Sequence, residues 1–219
     1  MYNLAFDTTG QSCSVILTKD GETLEKSVKK MDFGQAEVLL PTIQSILENH
    51  GITMKELDLI TVCTGPGSFT GVRSSLSAAR TFGLALPEIG LTGVSSFEAY
   101  VEDIEPDELA EINAIIIETK REDFYVQLFD VHKKPLIQPQ ALNYADIIDK
   151  LRNHKVTLVG DGVERFLSQP SGLSLHAIKM EEMLSISALA RCGANRYIKK
   201  CLDYPKPLYL RAPDVCVKA

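Results

Sequence analysis

The chain has 219 residues, of which 45% are hydrophobic and 24% charged, a mixture typical of a globular protein with a substantial core. Its formal net charge of −6 argues against direct binding to a phosphate backbone, because nucleic-acid-binding proteins gather lysine and arginine on one face. The apolar runs fall short of the roughly 18 residues that a membrane span needs, and the first residues carry no basic and apolar leader. We therefore expect a cytoplasmic protein that makes no membrane contact.

The first hundred residues predict an antiparallel meander followed by a βαβ unit. Asp20-Gly21 is a strong hairpin signal between the second and third strands. Apolar residues at helical spacing then predict a helix with a buried face, inside which Pro41 should cause a kink or a late start. A glycine-rich loop joins the next buried strand to a second helix. The predicted strands are 2–7, 13–18, 22–28, 57–64 and 89–94, and the predicted helices are 35–49 and 71–86.

A second series of elements follows the acidic stretch 102–111, which we take as the boundary between two lobes, 1–104 and 105–219. The last helix and tail of the second lobe are candidates to pack back on the first. The second series again runs from paired strands to an α/β unit, although no sequence repeat is visible. Its predicted strands are 114–118, 124–129, 136–142 and 156–159, and its predicted helices are 146–153 and 185–200.

The glycine-rich loop lies at the end of a buried strand and opens a helix, where backbone N–H groups and the helix dipole can receive an anion. Its glycines are spaced G-x-G-x-x-x-G, which excludes a dinucleotide fingerprint, and the loop also lacks the Gly-Lys-Ser/Thr of a Walker loop and the G-x-S-x-G of a nucleophile elbow. We interpret it as a structural turn with anion binding as a secondary possibility. The loop comprises Gly65, Pro66, Gly67, Ser68, Phe69, Thr70, Gly71 and Arg73.

Two helix faces are candidates for a partner interface. Small residues recur every four positions along the second helix, at Gly71, Ser75, Ala79 and Gly83, and such a groove lets another helix approach closely. The alternative is close packing on the chain's own sheet. The facing helix, internal or from a partner, is predicted to be 35–49, whose apolar stripe contains Ala36, Leu39, Leu40, Ile43, Ile46 and Leu47.

Several segments in this order and spacing resemble the TsaB (YeaZ) family of bacteria from end to end, most strongly over residues 1–100. They are Asp7-Thr8-Thr9, Leu39-Leu40-Pro41-Thr42-Ile43, the whole loop from Gly65 to Arg73, Gly93-Val94-Ser95-Ser96 and Pro207-Leu208-Tyr209-Leu210-Arg211.

The resemblance implies an α/β fold of the ASKHA type, the two-lobe actin, sugar-kinase and RNase H-like architecture with mixed sheets and flanking helices. It implies a required but non-catalytic scaffold that activates TsaD. With the ATPase TsaE, TsaD attaches threonylcarbamoyl to the adenosine next to the anticodon of ANN-reading tRNAs. Such scaffolds pair through the two first-lobe helices, with TsaD or with themselves when it is absent. ATP and Mg²⁺ would be used by the complex and not bound by this chain alone, and tRNA would be contacted only indirectly.

One departure from catalytic relatives supports a non-catalytic role. TsaD-like proteins carry H-x-x-x-H, which holds a metal, where this chain has Ser96 and Tyr100, and hydroxyl groups do not replace two imidazoles. The cysteines and histidines also show no metal-ligand spacing, so we expect no metal. Asp7, Thr8 and Thr9 occupy the position of a nucleotide-binding hairpin, but we expect Asp7 to cap its own turn by accepting an N–H bond from Thr9 or Gly10.

Two other functions remain open. One is a free-standing small phosphotransferase of the same fold, for which Asp7 and the glycine loop are the motivation. The other is a homodimeric interaction module with a different partner.

Overall fold

The computed structural model describes residues 1–180 and 183–211. The fold contains two five-stranded mixed sheets. Their strand orders are the same when the second sheet is read in reverse, from the eighth strand of the chain to the tenth. Each sheet is built from three antiparallel strands followed by two strands parallel to the first of them. The expected repetition of the two halves is therefore present in the topology.

The first sheet has the order β3-β2-β1-β4-β5. A two-residue turn at Asp20-Gly21 joins β2 and β3, and both of its residues have positive φ (52° and 88°), as a tight hairpin requires. The strands are β1 (Tyr2–Asp7), β2 (Ser12–Lys19), β3 (Glu22–Lys30), β4 (Leu59–Cys63) and β5 (Gly90–Val94).

Helices cover both faces of the first sheet. Helices α1 (Gln35–Asn49) and α2 (Phe69–Ala85) enclose the larger core on one face. Helix α3 (Ser96–Glu102) packs on the other face together with the late helix α6 (Ile186–Ile198). The chain thus returns to its first lobe after completing the second sheet. Helix α1 continues through Pro41, so the expected late start is wrong.

The second sheet has the order β10-β9-β6-β7-β8, and helices α4 (Tyr144–Leu151) and α5 (Val163–Leu167) close a core on one of its faces. Its opposite face meets α3 in a second apolar cluster, which joins the lobes. The strands are β6 (Ile112–Glu118), β7 (Phe124–Phe129), β8 (Gln140–Leu142), β9 (Lys155–Gly160) and β10 (Ser174–Met180).

The predicted elements are present, and among the described residues two α-helices and one strand escaped prediction: α3, α5 and β10. Helices α3 and α5 have seven and five residues, too few for a helical period to stand out. The strand predicted over 136–142 is confined to Gln140–Leu142. Over the described ranges, we find no helix with both the length and the apolar character needed to cross a bilayer.

Candidate functional site

The glycine loop between β4 and α2 holds the turn that joins β1 to β2. The Ser68 N–H donates to the Thr9 carbonyl at 2.7 Å, and the Thr8 hydroxyl donates to the Gly71 carbonyl at 2.6 Å. A Cβ on Gly67 would lie 2.5 Å from the Thr9 oxygen, and a Cβ on Gly71 would lie 2.9 Å from the Thr8 carbonyl carbon and still closer to its oxygen. Both glycines are therefore needed for close approach of two backbones.

Two amide groups of the loop, those of Ser68 and Gly71, are engaged inside the protein. Ser68 caps α2 by accepting the Gly71 N–H at 3.4 Å, and the Val72 N–H donates to the Ser68 carbonyl at 2.8 Å. Since the turn of Thr8 and Thr9 already covers this helix end, the contacts favour the structural interpretation of the loop over the anion-binding one.

Asp7 is buried at the end of β1 and acts on its own turn. Its carboxylate accepts the Thr9 N–H at 2.8 Å, as predicted. Burial raises the pKa of Asp7, and the hydrogen bonds from Thr9 only partly offset this effect. The Cys63 thiol lies against the same group and contacts the Thr9 hydroxyl at 3.6 Å. Asp7 is the residue that could have contacted a nucleotide-bound metal, and here its carboxylate stabilises its own turn instead.

Ser96, at the start of α3, ties that helix to the glycine loop. Its N–H donates to the Gly65 carbonyl and its hydroxyl to the Pro66 carbonyl, both at 2.9 Å. The Cys63 thiol lies 3.3 Å from the same hydroxyl. Tyr100, one turn further along α3, is buried in the cluster between the lobes. In the described part of the chain, nowhere do three or more His, Cys, Asp or Glu side chains gather in a way that could hold a metal ion.

The small-residue stripe of α2 faces the chain's own sheet, which corrects its assignment to a partner. Ser75 and Ala79 are fully buried, and the Ser75 hydroxyl donates back to the Gly71 carbonyl at 3.2 Å. A Cβ on Gly83 would lie 2.8 Å from a methyl group of Leu91 on β5. The stripe exists because α2 lies very close to β1, β4 and β5, the alternative left open by the spacing.

Most of the apolar stripe on α1 is likewise core and not interface. Four of its six side chains are at most 5% exposed and pack with β2 and α2, namely Leu39, Ile43, Ile46 and Leu47. Ala36 and Leu40 are exposed, with Leu40 at 52%. An amphipathic helix of a single lobe needs its stripe for its own sheet, so only these two members remain available to a partner.

The outward face of α2 was not singled out by its spacing, because this helix carries small residues on every side. Arg73, Ser77 and Thr81 are exposed at four-residue intervals. The Thr81 hydroxyl donates to the Ser77 carbonyl at 2.8 Å, and the Ser74 hydroxyl donates to the Thr70 carbonyl at 2.9 Å. Because these hydroxyl groups are bonded to their own helix, the face is less polar than its composition indicates.

The second sheet contributes a charged hairpin that sequence reasoning missed. Glu118, at the end of β6 and so equivalent to Asp7 in the first sheet, pairs with Arg165 of α5 through two hydrogen bonds of 2.6 and 2.9 Å. Burial raises the pKa of Glu118, but the bonds from Arg165 and the Lys120 N–H outweigh it, so the pKa is below its usual value. Arg165 also stacks on Phe124, 3.7 Å from its ring centroid. The carboxylate is held by the protein itself.

Asp161 follows β9 and contacts the backbone of the Glu118 hairpin. It accepts the Glu118 N–H at 2.9 Å. Burial raises the pKa of Asp161 to about 6, and the negative charge of Glu118 adds to the rise. The native state therefore keeps a proton that the unfolded chain releases between the ordinary pKa of 3.8 and about 6, and stability falls as the pH rises through this window.

Asp161→Asn should raise the thermal midpoint by about 2–6 °C near pH 7.5. The amide keeps the hydrogen-bond acceptor but removes the buried charge, and that charge destabilises the native state by on the order of 1–3 kcal/mol. At about pH 4 the native state keeps the proton and the unfolded state has lost it only in part, so the gain should fall well below its value at pH 7.5. Thermal unfolding of both proteins at the two pH values measures the difference. Glu122→Gln, at an exposed position of the same hairpin, is the control and should show no such pH dependence; an equal gain at both pH values would contradict the burial argument.

The tail after α6 joins the glycine-loop region of the first lobe to the Glu118 hairpin of the second. The Leu208 N–H donates to the Thr64 carbonyl at 2.9 Å, and the Tyr209 ring packs on Phe69 with centroids 5.2 Å apart. Arg211 then forms an ion pair with Asp123 in the second lobe. The Pro207–Arg211 segment noted in the sequence thus bridges the glycine loop and the second hairpin.

Comparison with known proteins places this geometry in a family. Residues 34–164 match the family described as "TsaD: tRNA N6-adenosine threonylcarbamoyltransferase", a span of more than half of the chain. The chain belongs to the TsaD family. The matched span contains α1, the glycine loop, α3 and the Glu118 hairpin.

Curated relatives and solved structures confirm the resemblance to TsaB (YeaZ). The chain is 28% identical to "tRNA threonylcarbamoyladenosine biosynthesis protein TsaB" of Haemophilus influenzae, over 95% of this chain and 92% of the relative. It is 37% identical to the protein of the same name from Escherichia coli, over 42% of this chain and 39% of the relative. The structure of YeaZ from Pseudomonas aeruginosa superposes with a TM-score of 0.81 at 21% identity, covering 95% of this chain and 99% of YeaZ.

The predicted ASKHA-type α/β fold is confirmed as well. The activator of the 2-hydroxyisocaproyl-CoA dehydratase from Clostridium difficile, solved with bound ADPNP, superposes with a TM-score of 0.51 at 9% identity. This match covers 91% of the present chain and 97% of the activator, and at that identity it concerns the fold alone. Ser96 and Tyr100 both belong to the packing around the glycine loop and α3.

Proposed function

We propose that the chain is a non-catalytic subunit that binds and activates a TsaD-like catalytic subunit. The complex would transfer threonylcarbamoyl to the adenosine next to the anticodon of ANN-reading tRNAs, with a TsaE-like ATPase as third component. ATP and Mg²⁺ would serve the complex, and tRNA would contact this chain only indirectly. The similarity to TsaB proteins supports this role.

The observation that carries the proposal is the position of Ser96. Where TsaD-like chains have the first histidine of H-x-x-x-H, this chain has a hydroxyl that donates to the Pro66 carbonyl at 2.9 Å and contacts the Cys63 thiol. A residue bonded in this way supports the glycine loop and supplies no imidazole ligand. Asp7 is equally occupied, since its carboxylate caps the Thr9 N–H.

The partner would contact the outward surface of α1 and α2. This surface, which we call the outer helix face, is defined by Ala36, Leu40, Arg73, Ser77 and Thr81, all exposed. Its small side chains let a helix of another subunit approach closely, and Leu40 supplies an apolar contact at 52% exposure. The same face would form a homodimer when the catalytic subunit is absent.

Reconstitution with the cognate TsaD-like and TsaE-like proteins, tRNA, ATP and the other pathway substrates tests the proposal. Threonylcarbamoyladenosine should form only when this chain is present, and this chain alone should produce none. Modification at an unchanged rate without this chain would overturn it. Mass spectrometry of proteins captured by this chain would show whether the homodimeric module with another partner is the better description.

The non-catalytic role and the phosphotransferase alternative make opposite predictions for Asp7. If the chain is a non-catalytic subunit, Asp7→Asn should retain modification activity in the reconstituted complex, because the amide oxygen still accepts the Thr9 N–H. Asp7→Ala loses this acceptor and should destabilise the fold by about 1–2 kcal/mol. Calorimetric titration with Mg·ATP decides the chemistry: tight binding that either substitution abolishes would favour a phosphotransferase.

A further inference from the structure

A cleft with a volume of about 1200 Å³ lies between the two lobes. One wall consists of the β1–β2 turn, the glycine loop and residues 30–35, and the opposite wall consists of the Glu118 hairpin and the β9–α5 turn. The proposed outer helix face lies elsewhere, so this cleft is a separate feature of the molecule.

The first-lobe wall offers phosphate groups fewer free amide donors than its glycine loop suggests, although it carries one lysine, Lys30, beside the acidic Asp32. The Ser68 N–H is bonded to Thr9 and the Gly71 N–H to the Ser68 hydroxyl, so two amides that could receive an anion are already used. Asp7 is buried and committed to its turn, which leaves it unavailable to a nucleotide-bound cation.

The second-lobe wall is acidic in a specific place. Asp161 and Glu164 both line the cleft, three positions apart, where β9 leads into α5. Among the described residues, the Glu164 carboxylate has no ionic or hydrogen-bond partner, and Asp161 accepts only backbone N–H bonds. Lys120 on the same wall reduces but does not cancel these two charges. A ligand cation at this position would meet two carboxylates.

The remainder of the lining is apolar and deformable. Three of the chain's five methionines line this one cleft: Met31, Met180 and Met183. Phe33 stands at the rim with 88% of its side chain exposed, and Met180 is 60% exposed. Methionine side chains adapt to different partners, and exposed apolar groups beside charges are typical of surfaces that bind protein segments.

We propose that this cleft binds an extended segment of a partner protein in which an arginine or lysine is flanked by apolar side chains. The cation pairs with Asp161 and Glu164, and the apolar side chains contact the methionines and Phe33. Charge and surface character both favour such a segment over a nucleotide, whose phosphates would face the same carboxylates.

NMR of the full chain labelled with ¹³C at the methionine methyl groups tests the proposal directly. The probe is a short synthetic peptide of alternating leucine and arginine, with the leucine and glutamate counterpart as control. The signals of Met31, Met180 and Met183 should shift saturably with the first peptide and remain in place with the second. Met1 and Met54 do not line the cleft, and their signals should not move.

Two charge reversals distinguish binding of the peptide in the cleft from its nonspecific attraction to the net negative charge of the protein. Glu164→Lys should weaken binding of the leucine–arginine peptide about tenfold, whereas Glu88→Lys, an exposed position outside the cleft, should leave it unchanged. Equal weakening by both substitutions, equal binding of both peptides, or displacement of the peptide by Mg·ATP would overturn the proposal. Because no tRNA or catalytic subunit is used, the result is independent of the proposed function.

Discussion

Replacing Gly71 with alanine should destabilise the protein by about 3 kcal/mol or more, or prevent folding altogether. The added methyl group would lie 2.9 Å from the Thr8 carbonyl carbon and closer still to its oxygen. Relief would require moving either the β1–β2 turn or the first turn of α2. Both are held in place, because the Thr8 hydroxyl donates to the Gly71 carbonyl at 2.6 Å and the Ser68 N–H donates to Thr9. Backbone atoms cannot rotate away as a side chain can.

Urea unfolding followed by circular dichroism measures this loss. Gly10→Ala is the matched control: it makes the same chemical change at the tip of the same turn, and a Cβ there would meet nothing within 4 Å. The control should change the free energy of unfolding by no more than about 0.5 kcal/mol. If the two variants were equally stable, the close approach of the loop and the turn could not be the reason for glycine at position 71.

Introducing arginine at Thr81 should weaken binding of the catalytic subunit at least about 100-fold and reduce tRNA modification in parallel. Thr81 is exposed on the outer helix face, and its hydroxyl is bonded to Ser77 of the same helix. A long charged side chain there would keep an approaching helix at a distance and bury a charge without a partner. The free chain should remain folded, since no core contact is changed.

Size-exclusion chromatography, pull-down with the TsaD-like subunit and the reconstituted modification assay together measure the effect. Gln169→Arg introduces the same side chain at an exposed position of the second lobe and should leave binding unchanged. Ala79→Arg on the same helix should instead unfold the chain, because Ala79 is fully buried against the sheet. Normal complex formation by Thr81→Arg would remove the outer helix face as the proposed interface.

Local sequence patterns predicted most of the fold because the strands and long helices carry strong periodicity. Helix α1 and strand β7 begin and end where expected, and Asp20-Gly21 forms the hairpin that its dipeptide predicts. Short elements escaped, since a helix of five residues such as α5 shows barely more than one turn. The repeated series of strands and helices was expected, but the identical strand order of the two sheets was beyond prediction, because no residue-level repeat accompanies it.

The candidate site was only partly predictable. The two helices and the glycine loop were identified, yet the buried and exposed sides of the helices were not assigned correctly. Helix α2 has small residues all around, so spacing alone did not decide whether Ser75 and Ala79 or Ser77 and Thr81 face a partner. The pairing of Glu118 with Arg165, 47 positions apart, carries no local signal at all.

The sequence by itself determined the α/β class, the family resemblance and the presence of Ser96 and Tyr100 where the resemblance implies a histidine pair, because each depends on which residues are present and in what order. Only the tertiary structure decided what those residues contact. In the tertiary structure, the small-residue stripe packs on the sheet and the glycine loop contacts the β1–β2 turn. Asp161 and Glu164 lie on one wall of the cleft between the lobes. The reason is physical: burial and pairing depend on contacts between distant segments, which no local pattern encodes.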